Sequence, residues 1–343
     1  MAVTIRDVAK RAGVSITTVS HVINDTRFVS DKLKERVETA IAELNYHPNP
    51  LGRGLRKGET RTIAVLLPDP GNPFFQTVNR GIEEETYESN FSITCCNTDE
   101  DPERERFFLT LMLQRGVDGF IVAPTVEAED NLRIVEKEGI PLVIVDRATP
   151  AFSLDQVYSK SKEGGYAATA HLLSLGHDRI ATLVGIRGLS TIESRLQGYC
   201  EALKERGIDP DEQLMADARS KMEDAFSATR QLLETHKDVT AIFTTNNLMT
   251  LGALKYFKEQ GIECPKDISI IGFDDSEWAS ISTPALTVVS QQAYEMGYRA
   301  GERLMSRVLH PENSKKAQTI ELETELIVRE STAPPTKNKR SRR

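Results

Sequence analysis

The sequence predicts an α/β protein with a small three-helix head at the N-terminus, a short linker and a larger core of two doubly wound lobes. Two short helical patterns flank a glycine within residues 4–24. From Thr62 onward, short apolar runs alternate with amphipathic helical stretches, which is typical of parallel sheets covered by helices on both faces. The charge is also unevenly divided, with a basic head and an acidic core.

Length and composition are those of a soluble globular protein. The chain has 343 residues, of which 39% are hydrophobic and 27% charged, enough for two or three domains. It has neither an apolar N-terminal segment nor a run of about 18 apolar residues, so we expect a cytoplasmic protein without a signal peptide or membrane span. The four cysteines lack CxxC spacing and histidine partners, which favours reduced thiols over a metal site. No cofactor is expected.

The formal net charge of −8 averages unlike parts of the chain. Residues 1–60 contain 10 Lys and Arg against 7 Asp and Glu, and residues 337–343 contain 5 basic residues and no acid. The remainder holds 28 basic and 44 acidic residues. Because phosphate groups attract a basic surface and repel an acidic one, the head is expected to contact nucleic acid and the core is not.

The predicted head spans residues 1–46. Its first helix begins at Thr4, with Asp7 three positions later as a weak form of the capping box. Gly13 permits a sharp turn, and Ser15 is the predicted N-cap of the second helix. Ser30 precedes a third helix with one apolar stripe, formed by Leu33, Val37, Ala40, Ile41 and Leu44.

The outward face of the second helix suits contact with DNA bases. It carries hydroxyls, an imidazole and one apolar side chain but no acid, whereas a solvated face would more often carry Glu and Lys. Such groups can bond base edges and contact a thymine methyl in the major groove. The alternative is an ordinary helical hairpin with its own small core. The candidate DNA contacts of the head are Thr4, Ser15, Ile16, Thr17, Ser20, His21 and Asn24.

Residues 47–60 are the predicted hinge. Residues 46–58 contain three cations, three glycines, two prolines and no acid. Each interior glycine costs a helix about 1 kcal/mol relative to alanine, so the segment is expected to become helical only when DNA compensates. Leu55, between Arg53 and Arg56, suits a wedge inserted at a minor-groove step. A flexible interdomain tether is the alternative.

The core, residues 61–332, contains seven predicted strands. They are residues 63–67, 93–96, 119–122, 142–145, 180–184, 241–243 and 268–271. This number of strand–helix units fits two doubly wound lobes better than one. The ends of parallel strands line a ligand crevice, which places Arg187, Gly188, Asp274 and Asp275 near an interlobe cleft that a ligand can close. Residues 333–343 are predicted to be a disordered basic tail.

The ordered motifs resemble the LacI/GalR (lactose repressor/galactose repressor) family of bacterial transcription regulators over residues 4 to about 332. The head motif is TIRDVAKRAGVSITTVSHVIN, and the hinge motif is GRGLR. The core motifs are VDGFIV, GGYAATAHLLSLGHDRIA, RLQGY, IIGFDD, TPALT and ELIVREST. The head resembles most closely that of the purine repressor.

The resemblance implies a helix-turn-helix head, a hinge helix and a core like that of periplasmic sugar-binding proteins. It implies a homodimeric repressor on a palindromic double-stranded DNA operator. In that arrangement Ile16, Thr17 and His21 contact bases, Leu55 is the wedge, and Arg53 and Arg56 are the hinge cations. The implied effector-binding residues are Phe74, Phe75, Asp146, Arg147, Arg195, Asn246 and Asp274.

The sequence departs from the family pattern at several positions. Gly52 and Gly54 flank the hinge arginine, which predicts a weaker hinge helix. Asn247 stands where an aspartate is usual, Lys160 where an acidic or amide residue is common, and Gln292 replaces a common proline. The cleft is therefore expected to differ from that of the purine repressor.

The implied cleft residues suit a polyhydroxylated ring. Arg195 supplies donors, Asp274 acceptors and Asn246 both, while Phe74 or Phe75 supplies an apolar face. A sugar or sugar phosphate is the first expectation for the effector, and a purine or amino-acid derivative the second. Two alternatives remain: Arg195 and Asp274 form an interlobe salt bridge without a ligand, and the two phenylalanines belong to the core.

Three functional hypotheses follow: an effector-gated transcription factor, a sugar-binding or sugar-modifying enzyme with an added head, and a DNA-architectural protein. The sequence lacks GxSxG, GxxxxGK[ST], GxGxxG and HExxH motifs, which disfavours an enzyme. A large acidic core is unnecessary for coating DNA, which disfavours the third hypothesis. We therefore predict an effector-gated transcriptional regulator.

Overall fold

The computed structural model describes residues 3–24, 27–46, 59–313 and 316–336. Arg53, Leu55 and Arg56 of the predicted hinge lie outside the described residues, as does the side chain of Asn24. The chain divides into two compact units, residues 1–60 and 61–343.

The head contains the three predicted helices, α1 (Ile5–Ala12), α2 (Ile16–Asn24) and α3 (Asp31–Glu43). Their core is small and apolar, with Val8, Val19 and Val37 fully buried. Gly13 has a φ of 64°, in the left-handed region, as the predicted sharp turn requires. The Ser15 hydroxyl accepts the backbone N–H of Thr18 at 3.0 Å, which confirms the predicted N-cap of α2.

The first lobe of the larger unit, here called the N-lobe, contains a six-stranded parallel sheet in the order β11-β5-β4-β3-β1-β2. Its strands are β1 (Thr62–Leu67), β2 (Ser92–Asn97), β3 (Gly119–Val122), β4 (Leu142–Val145), β5 (Asp155–Ser159) and β11 (Thr319–Leu322). Its helices are α4 (Pro73–Glu88), α5 (Pro102–Gln114), α6 (Glu129–Glu138) and α12 (Ala293–Leu309). Apolar side chains cover both faces of the sheet in two clusters.

The second lobe, here called the C-lobe, also contains a six-stranded sheet, in the order β12-β10-β9-β8-β6-β7. Its strands are β6 (Ile180–Val184), β7 (Met215–Asp217), β8 (Ala241–Thr244), β9 (Ser269–Phe273), β10 (Thr287–Gln291) and β12 (Thr324–Ile327). Only β12 is antiparallel to its neighbour. The helices are α7 (Ser161–Ser174), α8 (Ser190–Glu205), α9 (Met222–Thr235), α10 (Asn247–Gln260) and α11 (Glu277–Ile281).

In the part of the chain that the structure describes, the backbone passes between the lobes three times, at Lys160, Gln292 and Glu323. The three crossings contact one another. The ammonium group of Lys160 pairs with the Glu323 carboxylate, and Gln292 Nε2 donates to the Glu323 carbonyl at 3.2 Å. The crossings therefore form one bonded cluster beside the cleft between the lobes.

The predicted two-lobe α/β architecture is confirmed, and all seven predicted strands are present. The C-terminal boundary differs from the predicted one. Residues 333–336 still pack on the C-lobe: Ser269 Oγ donates to the Ala333 carbonyl at 3.1 Å, and Thr336 Oγ1 donates to the Lys266 carbonyl at 3.0 Å. The rest of the predicted tail, residues 337–343, lies outside the described residues. Within the described ranges, no helix has the length and apolar character needed to span a membrane.

Candidate functional site

A cleft lies between the N-lobe and the C-lobe, at the carboxyl ends of β1, β4, β8 and β9. It holds about 680 Å³ of non-atom space, part of it open to solvent. All seven residues implied as effector contacts line it: Phe74, Phe75, Asp146, Arg147, Arg195, Asn246 and Asp274. Arg187, expected nearby from its place after β6, is not among the lining residues and faces Glu193 instead.

Asp146 and Arg147 enter the cleft from the end of β4. Asp146 has a φ of 67°, and its backbone N–H bonds the Val157 carbonyl at 2.9 Å, which fixes the turn after the strand. The guanidinium of Arg147 is engaged within the N-lobe. Its Nη1 and Nη2 donate to the two carboxylate oxygens of Glu100 at 2.8 and 2.5 Å, and Nη1 also donates to the Pro124 carbonyl at 2.7 Å.

The family resemblance implied that Arg147 binds the effector, but its contacts indicate a different use of its charge. A guanidinium forked onto a carboxylate is already neutralised, so Arg147 shapes the cleft wall while its charge is committed to Glu100. Burial lowers the pKa of Arg147, but Glu100 more than offsets this, so the pKa is raised and the group stays charged.

The Asp146 carboxylate faces the cleft without a hydrogen-bond donor from any residue that the structure describes. Its nearest cationic atom is Arg147 Nε, at 3.5 Å from Oδ2. Burial raises the pKa of Asp146 to about 6, against the opposing effects of Arg147 and Arg195. A buried carboxylate without donors is a strong acceptor for hydroxyl or N–H groups of a ligand.

Arg195 lies on α8 and is held by the C-lobe. Its Nη1 donates to the Thr245 carbonyl at 2.7 Å, and Nε donates to the Ser161 hydroxyl at 3.4 Å. The guanidinium carbon lies 3.7 Å from the centre of the Phe273 ring, a close cation–π contact. Desolvation lowers the pKa of Arg195. Among the described residues Nη2 has no hydrogen-bond partner, so this amino group is available to a ligand.

Asp274 follows β9, with a φ of 76°. Its Oδ1 accepts Gln291 Nε2 at 2.6 Å. Burial raises the pKa of Asp274, and the charge of Arg195 opposes that shift. Both Arg195 and Asp274 belong to the C-lobe, and no ion pair joins these two described residues. The alternative of an interlobe salt bridge between them is therefore wrong.

Asn246 and Asn247 occupy the start of α10. Asn246 Oδ1 accepts the Met249 N–H at 2.8 Å and caps the helix, while its Nδ2 donates to the Ser220 carbonyl at 3.4 Å. Asn247 reaches across to the other lobe, where its Nδ2 donates to Asn72 Oδ1 at 2.8 Å. The same Asn72 oxygen accepts the Phe74 N–H at 3.0 Å and caps α4. One buried amide oxygen thus joins a helix cap to a lobe–lobe contact.

Phe74 and Phe75 have both roles that the sequence left open. They are 8% and 7% exposed, pack into the N-lobe core and contact each other edge-to-face with ring centres 5.0 Å apart. Both also line the cleft and offer it an apolar wall.

Sequence reasoning did not identify Glu100 and Gln291, which line the cleft, as functional candidates, and it did not predict the lobe–lobe contact of Asn72. Asn72 precedes Pro73, and an N-cap residue followed by proline at the first helical position is a recognisable helix start. Glu100 and Gln291 carry no comparable local signal, because their partners Arg147 and Asp274 are 47 and 17 residues away in the chain.

In the head, most of the predicted DNA-contact surface is accessible. Thr4, Ser15, Ile16 and Thr17 are exposed, with Ile16 42% exposed, and Ser20 and His21 are half-buried. The Ser15 hydroxyl is shared with the Thr18 N–H and hydroxyl. An exposed isoleucine at the start of a second helix is unusual for a solvated surface and suits contact with a base methyl group.

The histidines and cysteines do not form a metal centre in the described part of the chain. No group of three or more His, Cys, Asp or Glu side chains is arranged there to hold a metal. His177 is buried, with Nδ1 at 2.8 Å from Thr240 Oγ1 and Nε2 at 2.9 Å from the Ala333 carbonyl, so it fastens the C-terminal segment to the C-lobe. Cys95, Cys96, Cys200 and Cys264 are free thiols.

Comparison with known proteins matches both units of the chain. Residues 4–49 match the family described as bacterial regulatory proteins, lacI family, and residues 60–330 match periplasmic binding proteins and sugar binding domain of LacI family. The HTH-type transcriptional regulator DegA of Bacillus subtilis is 38% identical over 338 residues, covering 97% of this chain and 99% of the relative. The HTH-type transcriptional repressor PurR of Vibrio atlanticus is 36% identical over 327 residues, covering 95% and 97%.

Solved structures agree with this comparison. The lac repressor dimer bound to operator and the anti-inducer ONPF has a TM-score of 0.85 at 27% identity, covering 97% of this chain and 100% of that one. A LacI family regulator from Enterococcus faecium with bound ribose has a TM-score of 0.73 at 32% identity, covering 80% and 100%. These relatives are regulators and not enzymes, which confirms the prediction from the missing catalytic motifs. The chain belongs to the LacI family of bacterial regulatory proteins and is a DNA-binding transcriptional repressor.

Proposed function

We propose that a sugar or sugar derivative binds in the interlobe cleft and controls the affinity of the head for its operator. One observation carries this proposal. The carboxylates of Asp146 and Asp274 face one cleft from the two lobes, and both are nearly fully buried. Arg195 lines the same cleft with an amino group that has no hydrogen-bond partner among the described residues. Acceptors and a donor that converge in a small buried space match the hydroxyl groups of a polyol.

The apolar wall supports the same ligand class. Phe74 and Phe75 offer ring surface to the C–H groups of a sugar, while Asn246 adds an amide that can donate and accept. The relative from Enterococcus faecium has ribose bound, which is consistent with a sugar ligand here.

The proposed mechanism uses the connections between the lobes. The three crossings form one cluster, and the Asn72–Asn247 hydrogen bond adds a contact on the cleft side. A ligand that touches both lobes binds one lobe angle more tightly than others and shifts the population toward it. The hinge, residues 47–60, connects the head to this unit and passes the change to the DNA-binding surface.

A homodimer on a palindromic operator completes the proposal. The C-lobe carries an apolar patch formed by Met222, Leu251, Leu254, Trp278 and Ile281. Ile281 is 81% exposed, a large apolar side chain on an accessible surface. A second copy covering this patch would pair two heads, which suits an operator with two half-sites. The lac repressor relative is a dimer on its operator.

Within the head, Ile16, Thr17 and His21 are the proposed base contacts in the major groove. Thr4, Ser15, Ser20 and Asn24 complete the proposed DNA surface. Leu55 is the proposed minor-groove wedge, and Arg53 and Arg56 the cations that hold the adjacent phosphates.

The wedge is tested with Leu55→Ala. We expect specific operator binding to weaken far more than nonspecific binding, because only a kinked operator step accommodates the wedge. Fluorescence anisotropy with operator and with scrambled duplex, at one salt concentration, measures both affinities. Equal losses on the two duplexes would refute this role.

Gating is tested by selecting bound genomic fragments and then titrating the selected operator with and without a panel of sugars. A sugar that binds the protein should change operator affinity by about 5–150-fold, the usual range of allosteric coupling. Asp274→Asn should weaken binding of that sugar, whereas Asp130→Asn on the exposed surface of α6 should not. If no sugar changes operator affinity, gating by this class of ligand is excluded.

A further inference from the structure

The turn between β2 and α5 places a carboxylate inside the cleft in a strained but well-fixed conformation. Asp99 and Glu100 have φ angles of 52° and 59°, both in the left-handed region that non-glycine residues seldom occupy. Asn97 Oδ1 accepts the Asp99 N–H at 2.9 Å, and the Thr98 N–H bonds the Leu67 carbonyl at 3.0 Å. Strained backbone of this kind is often found at functional sites, so the position that the turn gives to the Glu100 side chain is of interest.

Glu100 is what this turn presents to the cleft. Its carboxylate forms the fork with Arg147 at 2.8 and 2.5 Å, and the two side chains are 17% and 6% exposed. At such burial the pair is weakly screened by solvent. Arg147 would otherwise be the N-lobe group best suited to bind a phosphate or carboxylate, because a guanidinium matches both in a two-pronged geometry.

The charges deepest in the cleft then favour a neutral ligand. Three acids, Glu100, Asp146 and Asp274, face two cations, Arg147 and Arg195. The remaining cations of the lining, Arg219 and Lys221, are 69% and 57% exposed at the rim. An anionic ligand would therefore enter a space with an excess of negative charge. In that space Arg147 is forked onto Glu100, and the charges of Asp274 and Asp146 act on Arg195.

We propose that Glu100 is a specificity-determining residue, which restricts the cleft to uncharged ligands by occupying Arg147. The inference rests on the proposed function of the cleft. It narrows the expected class of effector from a sugar or sugar phosphate to a neutral sugar. Removing the negative charge of Glu100 frees the guanidinium and cancels the charge excess, so it creates an anion site where the wild-type chain has none.

The test compares wild-type protein with Glu100→Gln, which keeps the side-chain shape and removes the charge. Glu103→Gln is the matched control, since Glu103 is exposed on α5 and has no ion pair in the described chain. Calorimetric titrations use ribose, ribose 5-phosphate and orthophosphate, at constant ionic strength. We expect wild type and Glu103→Gln to bind no orthophosphate below about 10 mM, and Glu100→Gln to bind it at least tenfold more tightly, about 1.4 kcal/mol.

Each outcome decides the proposal. Orthophosphate or ribose 5-phosphate bound by wild type as tightly as ribose would overturn it, as would a folded Glu100→Gln with no gain for either anion. If Glu100→Gln does not fold, competition on wild type decides: orthophosphate must leave the ribose titration unchanged, and displacement of ribose contradicts the inference. If wild type binds no sugar at all, the proposed sugar function fails, while the orthophosphate comparison still judges the role of Glu100.

Discussion

Asn247→Asp tests the hydrogen bond between the two lobes by replacing its donor atom, Asn247 Nδ2, with an oxygen. In the wild-type chain Asn247 is 1% exposed, and its Nδ2 lies 2.8 Å from Asn72 Oδ1 and 3.3 Å from Ser276 Oγ. The substitution replaces this donor with an oxygen of nearly the same size. Two acceptors then face each other at hydrogen-bonding distance in a buried site.

The cost follows from the two ways in which the site can respond. If Asn72 keeps its orientation, the introduced carboxylate is buried against an acceptor, which costs about 1–3 kcal/mol. If the Asn72 amide turns over, it can donate to the carboxylate, but the Phe74 N–H then loses the cap of α4, at about 1 kcal/mol. We therefore expect the free energy of unfolding to fall by about 1–3 kcal/mol at pH 8.

The penalty should be pH-dependent. Burial raises the pKa of an introduced carboxyl group, so the folded protein binds its proton at a higher pH than the unfolded chain. The penalty is then full above the folded pKa and disappears as the pH falls toward the unfolded value of about 4, because a protonated carboxyl can donate to Asn72.

Urea unfolding at pH 5 and pH 8 measures both effects, with the single tryptophan, Trp278, as the fluorescent probe. Asn247→Ala removes the hydrogen bond without adding charge and should lose about 1 kcal/mol at both pH values. Asn90→Asp adds the same charge at an exposed position and should change little. Asn247→Asp within about 0.5 kcal/mol of wild type at both pH values would refute the interlobe hydrogen bond.

Two further predictions concern stability. Gly297→Ala should lower the free energy of unfolding by more than about 3 kcal/mol or prevent folding, because an added Cβ would lie 1.9 Å from the Val78 carbonyl oxygen where α12 crosses α4. Gly139→Ala, at a φ of 68° with open space around the position, should lower it by about 1 kcal/mol. Equal losses in thermal unfolding would contradict the close crossing of the two helices. Burial lowers the pKa of His177 in the folded protein below the ordinary value of 6.5. The contribution of neutral His177 to the free energy of unfolding is therefore complete above pH 6.5 and is lost as the pH falls from 6.5 toward the pKa of the folded state. His177→Gln should therefore lower stability at pH 7.5 and weaken its decline toward pH 5, relative to wild type and His236→Gln; an unchanged decline would show that His177 does not cause it.

The sequence was most informative where structure is local. Strands β3, β4 and β6 are continuous apolar runs and were predictable from that alone, as was the turn at Gly13. Strand β5 was missed because it begins with Asp155, a fully buried acid. Its charge is balanced by Arg303 and Arg307, 148 and 152 residues later, and no short window contains that information.

In the cleft, too, some features were predictable from the sequence and others were not. Its residue types were predictable from ordered motifs at the ends of strands, and all seven implied effector contacts line it. What Arg147 does there was not predictable, since its partner Glu100 comes from a different strand end and owes its position to two left-handed residues. The function of Asn247 likewise depends on Asn72, 175 residues away. Pairing between distant side chains determines the charge and closure of the site.

The most direct test of effector gating is a reciprocal titration. A cleft-binding sugar is first identified with wild-type protein, and operator affinity is then measured with and without it, followed by sugar affinity with and without the selected operator. Linkage requires that the two affinities change by the same factor, so we expect equal coupling in both directions and its loss in Asp274→Asn. A sugar that binds tightly in the cleft while operator affinity stays constant would contradict the account.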